Sequence, residues 1–104
     1  MLEFGLPRAT CSIIRRILAV VPEVDKAVVY GSRAKGSQSL GSDIDLTLFG
    51  QDLTLTTLRH IAAQLDESTI PYPVNLSVFD RIVHPVLREH IERVVQVFYF
   101  VVRR

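Results

Sequence analysis

From Asp43 to Phe49 the chain alternates, with Ile44, Leu46 and Leu48 on one side and Asp43, Asp45 and Thr47 on the other. Successive side chains of an extended backbone leave opposite faces, so this period of two predicts a strand with one buried face. Two more strands are expected. Ala27-Val28-Val29-Tyr30 is a short β-rich run ending at Gly31, and Pro71 and Pro73 lead in extended form into Val74–Phe79, where Val74, Leu76 and Val78 turn inward. Helical spacing fills the intervals. After Pro7, the residues Ile13, Ile14, Ile17, Leu18 and Val21 share a face, Arg15 and Arg16 form its solvated back, and Pro22 stops the helix. Leu55, Leu58, Ile61, Ala62 and Leu65 predict a second helix over 54–67. From Pro85 a closing helix is expected, with Leu87, Ile91, Val94 and Phe98 in one stripe and Arg88, Glu89, Glu92 and Arg93 opposite. The glycines and serines between Ser32 and Ser42 read as a turn or a single helical turn. This order predicts an α/β domain, a small mixed β-sheet covered by helices.

A length of 104 residues suits one domain, 1–104, and leaves no room for separate catalytic and specificity domains. With 48% hydrophobic and 22% charged residues the chain can bury a core. Its net charge of +1 argues against strong non-specific nucleic-acid binding, which needs a basic surplus to displace counterions. The bases are uneven: residues 1–40 hold six against three acids, whereas residues 41–104 hold six against eight, which suits a local anion site. Cys11 is a lone cysteine without a metal or nucleophile context. The start MLEFGLPRAT lacks the pattern of a secretory signal, and no apolar run approaches the ~20 residues of a membrane helix. A cytoplasmic protein is expected, without membrane attachment.

The chemistry concentrates in Gly31-Ser32-Arg33-Ala34-Lys35-Gly36 and the Ser42-Asp43-Ile44-Asp45 that follows. Two residues apart on a strand, Asp43 and Asp45 share a face about 6–7 Å apart along the chain. Paired carboxylates repel unless a cation lies between them. Mg²⁺ favours a few carboxylates plus substrate phosphate oxygens, so an open acidic pair beside a phosphate cradle is a coherent design. Gly31 at a strand end lets backbone approach a ligand, Ser32 offers a hydroxyl and backbone N–H groups, and Arg33 and Lys35 bring positive charge.

Gly-Ser, ten residues, then Asp-x-Asp resembles the signature of the nucleotidyltransferase superfamily that includes DNA polymerase beta and kanamycin nucleotidyltransferase. The likeness is greatest to the minimal nucleotidyltransferases, or MntA-like proteins, of bacteria and archaea. It extends over Pro71–Asp80 and over Leu87-Arg88-Glu89-His90-Ile91-Glu92-Arg93-Val94. The resemblance implies a DNA polymerase beta-like nucleotidyltransferase fold and transfer of a nucleoside monophosphate from a triphosphate, ATP, to an acceptor hydroxyl with two Mg²⁺ ions. It implies that Asp43 and Asp45 bind metal and that Gly31, Ser32, Arg33, Lys35 and Ser42 bind nucleotide. It also places Asn75 where active members carry a third carboxylate. An amide brings neither negative charge nor useful basicity. Asp80 is no substitute, because five extended residues put it on the other face and roughly 16 Å along.

MntA-like proteins act as antitoxins beside a HEPN-domain ribonuclease toxin, adding AMP to a toxin tyrosine, and the resemblance implies that role and that partner here. Neutralisation of the toxin by contact alone, without transfer, is the alternative that Asn75 favours. Transfer to an antibiotic or other small molecule is disfavoured by the lack of a second domain. His60, His84 and His90 have no zinc-like spacing and read as surface or core-edge residues; Tyr30 and Phe79 read as packing. The tail Val94–Arg104 is more apolar than one helical face requires, which points to a homo- or hetero-oligomeric contact or to packing against the first helix.

Overall fold

A computed structural model describes residues 2–36, 41–93 and 96–101. Ahead of the first helix, residues 2–7 form a hairpin that the alternation pattern does not reveal. Strand β1 (Leu2–Glu3) runs antiparallel to β2 (Leu6–Pro7). Phe4 and Gly5 between them have φ of 55° and 74°, the two positive angles that a two-residue I′ turn requires.

Helix α1 (Arg8–Ala19) follows and ends three residues before Pro22. Strand β3 (Lys26–Tyr30), the short helix α2 (Ser32–Lys35) and strand β4 (Ile44–Phe49) come next. Helix α3 (Leu55–Glu67) starts at Thr54, whose side chain accepts the Thr57 N–H at 3.1 Å and satisfies one orphan donor of the first turn. Strand β5 (Val74–Val78) leads into a 3-10 turn (Phe79–Arg81) and helix α4 (Pro85–Arg93).

The closing helix is shorter than expected. It ends at Arg93, and Gln96–Phe100 forms strand β6, antiparallel to β3. Val94 lies outside the described residues. Val97-Phe98-Tyr99-Phe100 is rich in β-branched and aromatic residues, and pairing with the open edge of β3 outweighs the helical coincidence that sets Phe98 seven residues after Ile91. The register slips between Ala27 and Val28, which makes Phe98 the extra residue of a bulge. Its carbonyl accepts from Arg15 Nε at 2.9 Å, and the guanidinium lies 4.5 Å from the Phe98 ring centroid. Arg15 also pairs with Glu3 at 2.6 Å, so it is not part of a solvated helix back; Arg16 is exposed as expected. Through Phe98 the described part of the tail packs against α1, while Val97 and Phe100 remain 41% and 62% exposed; Val95 and residues 102–104 lie outside the described residues.

The main sheet has the order β5-β4-β3-β6, with β4 parallel to β5 and the other pairs antiparallel. This is the expected mixed sheet. On one face Ala27, Val29, Ile44, Leu46, Leu48 and Val78 pack beneath Ile14 and Leu18 of α1 and Ile61 and Leu65 of α3. On the other, α4 sets Ile91 and Leu87 against Val28 and Phe79. Thr47 corrects the one-buried-face reading of β4: it is fully buried, because α4 and the 3-10 turn cover that end of the second face. The opposite end of the same face, carrying Asp43 and Asp45, stays open. Among the described residues no helix is long and apolar enough to cross a membrane.

Candidate active site

Three neighbouring strands deliver one lateral row. Tyr30 of β3 is the register partner of Asp45 on β4, and Asp45 is the partner of Asn75 on β5. Because β4 is central, Asp45 is half-buried, while Asp43 and Asn75 are exposed. The Asn75 amide nitrogen donates to Asp45 Oδ1 at 2.9 Å and to Asp43 Oδ2 at 3.2 Å. Carboxylates only accept, so the amide must present its NH₂ to them. One atom touching both side chains shows that the two carboxylates converge on a single point, the geometry that strand alternation predicts.

Gly31 closes the row from above. Its φ of 77° and ψ of −152° lie in a region essentially reserved for glycine, and a Cβ there would stand 2.6 Å from Asp45 Oδ2. The backbone thus passes directly over the carboxylate. It then turns into α2, where the Lys35 N–H bonds back to the Gly31 carbonyl at 3.2 Å and Gly36, left-handed at φ 74°, ends the turn. Ser32 is half-buried beside Gly31, and Lys35 is exposed. Residues 37–40 of the loop lie outside the described residues.

Arg33 does not point where a phosphate-binding arginine would. Its side chain turns inward and is only 3% exposed. Nη2 and Nε donate to the Ser42 carbonyl at 2.7 and 3.2 Å, Nη1 donates to the Phe4 carbonyl at 2.8 Å, and the guanidinium lies 5.2 Å from the Tyr72 ring centroid. It braces the start of the loop against its end and against the β1–β2 hairpin, fixing the residue just before Asp43. The expected phosphate contact is replaced by this strut, because three donors in a planar fork match converging carbonyls that sequence spacing does not reveal.

The residue missed by sequence reasoning is His90. It is half-buried, and its Nε2 accepts the Gly31 N–H at 3.4 Å. The available signal was its place on α4, next to the core residue Ile91 and three after Leu87, on the flank of the apolar stripe. Tyr30, read as packing, does pack against the α4-side core but also ends at the acidic row. Burial above all, with the Asp45 charge adding to it, holds its phenol above the ordinary tyrosine range. Asp80 sits exposed in the 3-10 turn and is absent from the row.

Among the described residues no cluster of three or more His, Cys, Asp or Glu side chains could hold a metal ion. The donor set is two converging hard oxygens, open to solvent. That set fits Mg²⁺ completed by substrate oxygens and water and does not fit a closed metal cage.

A mixed sheet of this order, with two acids at the start of an inner strand under a glycine-serine bend, is the architecture of a nucleotidyltransferase domain. The chain belongs to the polymerase beta nucleotidyltransferase family, whose sequence profile matches residues 13–100. Solved structures share the fold. A chain of a toxin-antitoxin crystal structure with AMP-PNP superposes with a TM-score of 0.71 at 22% identity, covering 88% of this chain and 73% of that one. A chain of the MntA-HepT toxin-antitoxin structure gives 0.67 at 18% identity, with 91% and 74% covered. A third, from the tri-AMPylated Shewanella oneidensis HEPN toxin in complex with its MNT antitoxin, gives 0.66 at 18% identity, with 90% and 72% covered. No curated protein matches the chain in sequence.

Proposed function

We propose that this protein is a Mg²⁺-dependent adenylyltransferase that moves AMP from ATP to a hydroxyl of a partner protein, a HEPN-domain toxin for which it serves as antitoxin. The observation that carries the reading is the convergence of Asp43 and Asp45 on one point directly beneath Gly31. Asp43 and Asp45 would hold the metal, and Gly31, Ser32, Lys35 and Ser42 would line the nucleotide, with Arg33 bracing the loop. Bound Mg²⁺ supplies charge neutralisation for the phosphates. In the transfer the acceptor oxygen, a tyrosine hydroxyl as the resemblance to MntA-like proteins implies, bonds to the α-phosphorus. The bond to the β-phosphate oxygen breaks, pyrophosphate leaves, and the hydroxyl proton passes to water. The protein's contribution is positioning. Support for the partner comes from the shared fold with toxin-antitoxin structures that carry AMP-PNP or an AMPylated HEPN toxin.

Asn75 sets the rate. It provides no base for the hydroxyl proton, and its amide already spans the two acids. The same observation favours a second reading, in which nucleotide binds but the toxin is silenced by contact alone. Incubation with Mg²⁺, labelled ATP and the cognate toxin separates them. Label on the toxin, increasing at least tenfold in Asn75→Asp, supports slow transfer limited at this position; a stable complex without label in either protein supports contact. Equal, brisk transfer by both proteins would sink the role given to Asn75.

A further inference from the structure

We propose that His90 is a positioning residue of the nucleotide site: its imidazole occupies the Gly31 N–H in the free protein, yields that donor to a phosphate oxygen, and then donates from Nε2 to the same phosphate. The inference rests on the nucleotide-binding reading above and adds a further element, α4, to a site otherwise built from β3–α2 and two strands.

Ile91, 1% exposed, and Leu87 lock α4 onto Val28 and Phe79, so the helix is anchored and His90, on the flank of that stripe, reaches the end of β3. Accepting the Gly31 N–H requires a bare lone pair on Nε2. At 3.4 Å the bond is long, and a charged phosphate oxygen is the stronger acceptor for the same N–H. An oxygen arriving there meets two groups at once, a donor that suits it and a lone pair that repels it. Rotation of the whole helix is opposed by the packing of Leu87 and Ile91. Transfer of the ring proton from Nδ1 to Nε2 through solvent removes the repulsion and turns His90 from a competitor into a second donor.

The test is long-range proton–nitrogen NMR of the ¹⁵N-labelled protein, with His90 assigned by its disappearance in His90→Gln. Spectra are recorded without ligand and at saturation with Mg²⁺ and AMP-PNP, saturation being fixed by calorimetry. His90 Nε2 should change from an unprotonated to a protonated nitrogen shift while Nδ1 does the reverse. In calorimetry, His90→Ala should bind AMP-PNP about tenfold more weakly, His90→Gln, whose amide can also donate, should stay within about threefold, and AMP, lacking β and γ phosphates, should distinguish the variants little. The NMR arm uses the unmodified protein, so it decides the matter even where His90→Ala misfolds. Unchanged His90 shifts at saturation overturn the inference and leave the nucleotide-binding reading standing; no uptake of AMP-PNP by the unmodified protein overturns both.

Discussion

Gly31→Ala isolates the contact on which the site geometry depends. Two costs are separable. Alanine at φ 77° and ψ −152° enters a glycine-only region, which costs about 1–3 kcal/mol of stability. The new Cβ would also lie 2.6 Å from Asp45 Oδ2, so the carboxylate must retreat by about 0.8 Å to regain ordinary contact at 3.4 Å. Asp45 Oδ1 bonds to Asn75 at 2.9 Å, so that retreat breaks the convergence with Asp43. Gly36→Ala is the control, because Gly36 has a φ of 74° but, among the described residues, nothing within 4 Å of its Cβ position. Guanidinium unfolding of both variants should show a loss of about 1–3 kcal/mol for Gly31→Ala and about 1 kcal/mol for Gly36→Ala. Calorimetry with Mg²⁺ and ATP should show at least tenfold weaker binding for Gly31→Ala alone. Wild-type affinity in Gly31→Ala, or equal losses in both variants, would refute the reasoning that the glycine serves the carboxylate below it.

Arg33→Met keeps the volume but leaves the Phe4 and Ser42 carbonyls without their donors, and should cost about 3 kcal/mol in chemical denaturation; a loss below about 0.5 kcal/mol would mean that the guanidinium is not a strut. Thr47→Val removes a buried hydroxyl that has no hydrogen-bond partner among the described residues, so stability should rise by about 1 kcal/mol and a thermal melt should shift upward; a drop would reveal a partner for that oxygen. Burial pushes the Cys11 thiol up from 9.0 to about 11. With the folded value above the unfolded one, this contribution is complete below pH 9 and fades as pH rises to about 11, by about 1.4 kcal/mol at pH 10. Cys11→Ala should lose that alkaline slope relative to the unmodified protein, and an identical slope in both would contradict the assignment.

The sequence announces those features that depend on one strand or one helix. Parity alone puts Asp43 and Asp45 on one face, and the alternation of Val74, Leu76 and Val78 fixes which side of β5 Asn75 occupies. Features that depend on distant partners are hidden. Phe98 satisfies a helical stripe numerically, yet the free edge of β3 claims it for a strand. Arg33 looks like a loop cation until the carbonyls of Phe4 and Ser42, from two other parts of the chain, close around it. Thr47 alternates with apolar neighbours as a solvent-facing residue would, and only the docking of α4 and the 3-10 turn buries it. His90 is identified by its contact with Gly31, 59 residues earlier in sequence. Local rules therefore located the acids, and tertiary packing decided which cations and rings attend them.

Isothermal titration of the protein with ATP, with and without Mg²⁺, beside the Asp43→Asn/Asp45→Asn double variant, tests the central claim most directly. Removing the paired charges relieves repulsion and preserves shape, so the variant should remain folded. The account predicts metal-dependent uptake of ATP by the unmodified protein and at least a tenfold loss in the double variant. Uptake that ignores Mg²⁺, or that survives loss of both carboxylates, would contradict it.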